Sequence, residues 1–548
     1  METIKKLALG LALAAVASSC NIMDYAPSDR YGDAVAFSTK ANVDAYALSL
    51  YSTAEVYGQF GSRAFGTSHF NLDGLTPMLK YSSDVAGYGT PNVILFIEGQ
   101  ITPVSNAVSY WADCYTRIRK VNEFLDGIQD CTILTDAEKN AYIAEARFFR
   151  GYLYFLLTRA HKNVILYDGL GDWKNSAKKN SPEAECWEFV KADLTFAMEN
   201  LSQAKRTDGR VDQATAAALL SRAMLFAKDW ETAKTACEKV IEIGYTLDPD
   251  YAEIFKHHAG TRSSETIFQV DYLNENYCHS FDSKNCPSGD DANAEALCPA
   301  PTQEFVECYE KAAGGKVDWT AVTTYEELAA TYASLEPRFQ ASVLYDGADW
   351  KGRKIETYAG GKDGYVKYGS TNGVPKTTVT GYYMRKMLDE NNKAITTDKS
   401  TQSYVMIRYA EVLLNYAEAL ANLGAANFGK AMQQVNAVRG RVCLPEVSGD
   451  NFNDVMAAIM QERKIELAFE GFYYWDCKRW GIAENTLGNV ECHGIKITKS
   501  GDTKTFEYES CDGGQQRLFP KKYYSLPIPS SEISNNPECE QLPEWTEN

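Results

Sequence analysis

Ile459-Met460-Gln461-Glu462-Arg463-Lys464-Ile465-Glu466-Leu467-Ala468-Phe469-Glu470-Gly471 is the stretch on which the reading of this chain turns, with Asp476 and Lys478-Arg479-Trp480-Gly481 close behind. A helix is expected from about Asn453 to Phe472, running into Tyr473, Tyr474, Trp475 and Trp480. Its apolar positions have to be packed, so Glu462, Arg463, Glu466 and Glu470 must enter the interior beside them. Charges persist there as Arg–carboxylate pairs that satisfy one another. The cluster therefore reads as structural.

Working outward, the helical signal falls into pairs. Thr135-x-x-Glu138 forms a capping box, and Ala141, Ala144, Phe148, Tyr152 and Phe155 follow at three- and four-residue steps along a helix expected to reach about Ala160. Asp212 caps a segment carrying Ala216, Leu219, Ala223 and Phe226; after Lys228-Asp229 a partner helix spans Trp230 to Ile243 and stops at Gly244. Ala217, Ala233 and Ala236 let the two approach closely, as a tetratricopeptide unit requires. A second hairpin places Tyr409, Val412, Leu413, Tyr416, Leu420 and Leu423 before Gly424, then Phe428, Ala431, Val435 and Val438 before Gly440. No hairpin can bury its apolar face alone, so the pairs must stack. Trp111, before Tyr115 and Ile118, reads as a helix-core residue.

Two stretches break this pattern. Tyr245 to Ser400 loses the helical period and gains turn signals at Gly360-Gly361, Asp363-Gly364 and Asn372-Gly373, and it is expected to be mostly loop with short strands. Gly58 to Ser109 has the same character. Irregular segments this long imply work beyond connection, so the two are expected to meet and form a binding surface.

Composition narrows the partners. The chain has 548 residues, an ordinary globular balance and a formal charge of −18, which disfavours nucleic acid and anionic lipid heads. Its 34 tyrosines suit half-wet surfaces, because the ring packs while the hydroxyl stays hydrated. Lys5, Lys6 and the apolar run Leu7 to Ala17 read as an export signal too short to span a bilayer. Ala17-Ser18-Ser19-Cys20 then resembles a lipoprotein cleavage box, with a plain signal-peptidase site as the other reading; two acyl chains on Cys20 would anchor the protein. Of fourteen cysteines, thirteen remain beside Cys20, so at least one thiol is unpaired. Cys278, His279, Cys286, Cys298 and Cys308 fit no compact zinc motif, and disulfides or simple burial are expected instead.

Five features in order now carry a family resemblance. They are Glu145-Ala146-Arg147-Phe148-Phe149-Arg150-Gly151-Tyr152-Leu153-Tyr154-Phe155, Ile407-Arg408-Tyr409-Ala410-Glu411-Val412-Leu413-Leu414-Asn415-Tyr416-Ala417-Glu418-Ala419, Val435-Asn436-Ala437-Val438-Arg439, the Glu462-Arg463 helix, and Leu526-Pro527-Ile528-Pro529 with Asn535-Asn536-Pro537. With the start Cys20-Asn21-Ile22-Met23-Asp24-Tyr25-Ala26-Pro27, the chain resembles the SusD/RagB family of outer-membrane nutrient-binding lipoproteins. The resemblance implies an all-α bundle of four tetratricopeptide-like hairpins with long loops and a few short strands. It implies a signal peptide at 1–19, a first helical part at 20–245, a loop-rich ligand-binding insertion at 246–400 and a second helical part at 401–548. It also implies a lipid-anchored protein of the outer membrane, facing outward, that binds nutrient glycan and serves a SusC-like TonB-dependent transporter. A peptide ligand, as for RagB, and a protein–protein scaffold are the alternatives.

A sugar ring presents apolar C–H faces rimmed by hydroxyls, so its site needs flat aromatic platforms beside amide or carboxylate groups. Candidates are Tyr81, Asp84, Tyr88, Asn92 and Phe96 in the first irregular stretch and Tyr277, Phe281, Trp319 and Trp350 in the second. Glycoside hydrolysis needs two facing carboxylates, and no pair stands out among the 73 acids. Gly87-Tyr88-Gly89 does not continue into a dinucleotide fingerprint, and His257-His258 has no ligand partners in view. The chain is read as a binding protein without catalytic residues, metal or cofactor.

Overall fold

The computed structural model describes residues 33–56, 71–81, 97–106, 108, 110–174, 177–274, 276–290, 299–369, 377–392, 399–514 and 516–546. The leader, Cys20 and the expected contacts Asp84, Tyr88, Asn92 and Phe96 lie outside the described residues. Among those described, eight long helices carry the architecture: α1 (Trp111–Gln129), α2 (Asp136–His161), α3 (Glu183–Asn200), α4 (Gln213–Ala227), α5 (Trp230–Ile243), α6 (Tyr409–Asn422), α7 (Phe428–Arg441) and α8 (Phe452–Glu466). Each packs on the next, and α6 also touches α4 and α8, so the second set of helices closes onto the first. This is the expected all-α bundle of stacked hairpins.

Local chemistry sets most helix ends where they were expected. Thr135 and Glu138 exchange side-chain and backbone hydrogen bonds in a complete capping box at the start of α2. The Asp212 carboxylate accepts from Thr215 N–H, and Asp229 accepts from Thr232 N–H after Lys228 takes the left-handed conformation. Helix α3 lacks a side-chain cap and follows Pro182. Its signal was the buried series Cys186, Trp187, Val190, Leu194 and Ala197, a stripe the sequence reading did not pick out. Gly440 is not a stop: it sits inside α7, and the chain turns at Cys443, where φ is +58°.

The helix expected to run to Phe472 ends instead at Glu466, and a short helix α9 (Tyr473–Arg479) follows. Phe469 has φ +66° and Gly471 φ +78°. The break frees carbonyls that other groups use: the Lys386 ammonium donates to Glu466 O at 3.1 Å and Ala468 O at 2.9 Å, and Tyr251 donates to Glu466 O at 3.0 Å. Gly471 N–H donates to the Asp73 carboxylate. Helix propensity is outweighed here by buried donors that need acceptors.

The charges of that segment pair as expected. Glu466, with a wholly buried side chain, accepts from Arg408 at 2.6 Å, Arg441 at 2.5 Å and Arg338 at 3.0 Å. Arg338 also bonds Glu336 and Glu462, while Glu470 binds Arg408 and Lys386. Burial would raise the Glu466 and Glu470 carboxyls, but the surrounding cations hold both below their ordinary range. Arg463 grips Asp476 with two bonds and reaches Asn415 Oδ1 at 2.7 Å.

Strands form five two-stranded antiparallel pairs among the described residues: β1 (Leu79–Lys80) with β3 (Ala300–Pro301), β2 (Thr266–Val270) with β8 (Tyr404–Arg408), β4 (Val343–Leu344) with β7 (Tyr383–Met384), β5 (Asp349–Trp350) with β6 (Arg353–Lys354), and β9 (His493–Ser500) with β10 (Thr503–Ser510). The β2–β8 pair, with Thr266 opposite Arg408, ties the loop-rich insertion to the start of α6. Apart from Cys278, the described cysteines are free thiols, most of them buried.

Candidate ligand-binding site

The two irregular stretches meet at the β1–β3 pair, where Leu79 faces Pro301 and Lys80 faces Ala300. Thr302 N–H donates to Met78 O at 3.1 Å, extending the contact. Tyr81 closes the loop beneath: its hydroxyl donates to Asn71 O at 3.1 Å and accepts from Asn71 N–H at 2.8 Å. Its ring lies where a side chain on Gly74 would sit, 2.3 Å from an added Cβ, so that glycine is required by close approach. Lys80 lies 3.0 Å from Asp512 and 4.2 Å above the Tyr368 ring. Burial opposes ionisation of Asp512, but Arg517 and Lys80 hold its carboxyl below the ordinary value.

The sequence-predicted contacts that are described have separate surroundings. Tyr277 is exposed at 43 %, on a turn with Asn274, its ring 5.9 Å from Tyr272. Phe281 begins a short buried helix, Phe281–Asn285. Trp319 is buried with its ring 6.4 Å from Tyr332. Trp350 is 1 % exposed, and its indole donates to Asp290 at 2.9 Å. The rings of Tyr81, Phe281, Trp319 and Trp350 are thus packed as interior groups.

Open aromatic surface lies instead on the β9–β10 hairpin, which the sequence reading did not identify. Its signal was the alternation His493, Ile495, Ile497 followed by Gly501-Asp502 at the turn. Ile495 and Ile497 face inward, and the ladder continues as Ile495 N–H to Thr380 O at 2.8 Å and Ala359 N–H to Ile497 O at 2.8 Å. Gly381, with φ +77°, lets Ile495 O come this close: an added Cβ would stand 2.2 Å from it. On that same face, opposite Ile497 and Ile495, Phe506 and Tyr508 have ring centroids 5.7 Å apart, and Tyr508 is still 41 % exposed. Tyr358 lies between the ammonium groups of Lys499, at 4.9 Å, and Lys504, at 5.0 Å.

Polar groups surround these rings. Tyr365 donates to Glu509 at 2.9 Å, and Tyr325 and Lys504 both bond Asp346. Burial, then the Glu307 carboxylate, push the Tyr508 hydroxyl up to about 12, so it stays protonated and can donate. Half-wet rings beside carboxylates and ammonium groups can stack on C–H faces and bond hydroxyls.

The SusD family profile matches residues 264–545, and a second profile, described as starch-binding associating with outer membrane, matches residues 70–225. SusD-like protein P2 of Formosa agariphila is 26 % identical over 78 % of this chain and 78 % of its own length. A SusD-like protein of Bacteroides ovatus is 24 % identical over 97 % of this chain and 96 % of its own. Among solved structures, a SusD-like protein from Bacteroides fragilis aligns with TM-score 0.79 at 25 % identity, covering 93 % of this chain and 98 % of that one. A SusD-like carbohydrate binding protein from the same species aligns with TM-score 0.77 at 25 % identity, covering 92 % and 99 %.

Proposed function

The chain belongs to the SusD family, and from that premise we propose that it binds nutrient oligo- or polysaccharide at the outer membrane without cleaving it. The observation that carries this reading is the near full-length alignment with a SusD-like carbohydrate binding protein at 25 % identity. The profile described as starch-binding associating with outer membrane supports the same ligand class and location. In this proposal Cys20 is the lipid anchor, the binding face points outward, and a SusC-like TonB-dependent transporter receives the glycan.

The ligand contacts are proposed as Tyr277 and Tyr508 with Asp84, Tyr88, Asn92 and Phe96. Tyr81, Phe281, Trp319 and Trp350 would act by holding the loops. Buried carboxylates support a non-catalytic role: Glu466, Glu470 and Asp476 are held ionised by cations. Asp73, which burial raises to about 7, is sealed in the core and cannot reach a glycosidic oxygen.

The test is native electrophoresis of the chain from Asn21 onward through gels containing a panel of neutral and acidic polysaccharides. Retardation by one glycan class, reduced by Tyr277→Ala or Tyr508→Ala and unaccompanied by new reducing ends, is expected. Passage through every gel at the control rate would overturn the glycan reading, and release of reducing ends would overturn the non-catalytic one.

A further inference from the structure

A pocket of about 650 Å³ opens where α2, α4 and α9 end, and none of the proposed glycan contacts lines it. Trp187 and Phe226 form an apolar wall, their rings stacked at 6.2 Å and 29°. Five cations also line it: Arg159, Lys162, Lys228, Lys478 and Arg479. Arg479 is neutralised by Glu418 and Asp476, and Lys162 lies 3.9 Å from Glu183, the only carboxylate in the lining.

The other three cations have no carboxylate partner among the described residues. Lys478 is 7 % exposed and its ammonium has no hydrogen-bond acceptor; it lies 4.8 Å from the Trp475 ring and 5.3 Å from that of Tyr474. Burial, then the positive charges of Lys162 and Arg159, drive its proton affinity well below the lysine norm. Arg159 is 8 % exposed, its Nε lacks an acceptor, and its guanidinium lies 4.3 Å from Trp475. Thr158 Oγ1 is also buried in the lining without a partner.

Helix ends explain part of this charge. Each of α2, α4 and α9 contributes about half a negative charge at its C-terminus, and α3, whose first turn is in the lining, about half a positive one, so together they offset about a third of Arg159, Lys228 and Lys478. The rest stands uncompensated in a chain whose formal charge is −18. Leaving buried cations without counter-charge costs stability unless something else supplies it.

We propose that this pocket binds a small organic oxyanion, its carboxylate or sulfate meeting the Arg159, Lys228 and Lys478 cations while its C–H face packs on Trp187 and Phe226. Acidic monosaccharides have this chemistry, and the site stands independently of the glycan surface described above.

Isothermal titration calorimetry of the chain from Asn21 onward with D-glucuronate, glucose 6-sulfate and D-glucose, at fixed ionic strength, tests it. Heat from either anion and none from glucose is expected, with affinity about tenfold weaker in Lys228→Glu, as for loss of one hydrogen bond to a charged group. Lys228 is exposed, so that variant folds; Lys478→Gln, which removes the buried amine that a bound anion would keep protonated, should weaken binding as well. No heat from either anion, equal heat from glucose, or anion binding untouched by both substitutions would overturn the proposal.

Discussion

Glu466→Gln isolates what the buried ion network contributes. The carboxylate takes three arginines at 2.5–3.0 Å with no solvent exposure. A glutamine keeps the shape, removes the charge and turns an amide N–H₂ toward a guanidinium. At an effective dielectric of about 20, two unit charges about 4 Å apart interact by about 4 kcal/mol; breaking a buried pair by removing one partner costs about 3–5 kcal/mol in measured cases. Against a total stability of about 5–15 kcal/mol, the variant should lose a large fraction. Urea is the denaturant of choice, because it does not screen charge. The midpoint should fall at pH 7 with the slope unchanged. Acid gives a second reading. The folded carboxyl lies below its unfolded value of about 4.3, so its stabilisation is present above that pH and drains as pH falls toward the folded value. The gap between wild type and variant should therefore narrow by pH 3. A loss under about 1 kcal/mol at pH 7, or a gap that widens in acid, would refute the reasoning.

Arg463→Ala, which strips Asp476 and Asn415 of their donor, should lower the urea midpoint while leaving polysaccharide retardation of the folded protein intact; wild-type stability with lost binding would contradict the structural role. Asp73 gives the opposite pH sign to Glu466. Its folded carboxyl is raised to about 7 by burial, so its stabilisation is complete below about pH 4 and is lost as pH rises through 7. Asp73→Asn should therefore gain on wild type between pH 4 and 8, and a parallel pair of pH curves would count against it. Thiol alkylation of the native protein, read by peptide mass, should mark the exposed Cys443 first and leave Cys114 and Cys237 until unfolding. Labelling of Cys114 as fast as Cys443 would show that the core is not packed as described.

What the sequence revealed follows the range of the interactions involved. Caps were legible because their partners lie within four residues: Thr135 with Glu138, Asp212 with Thr215, Asp229 with Thr232. The end of α8 was not, because it is set by Lys386, Tyr251 and Arg408, whose positions along the chain give no hint that they converge on Glu466 O. Trp350 shows the same limit. Its Gly- and Asp-rich surroundings read as exposed loop, yet it is buried against Asp290, sixty residues away. Lys478-Arg479 makes the point at one peptide bond. Both residues looked alike as part of a charged run, but about 100° of helical rotation separates adjacent side chains. Arg479 reaches Glu418 and Asp476; Lys478 meets aromatic rings and other cations. Which of two neighbouring charges is satisfied is decided by the distant helix it faces, so a pocket built from the unsatisfied one is visible only once the helices are stacked.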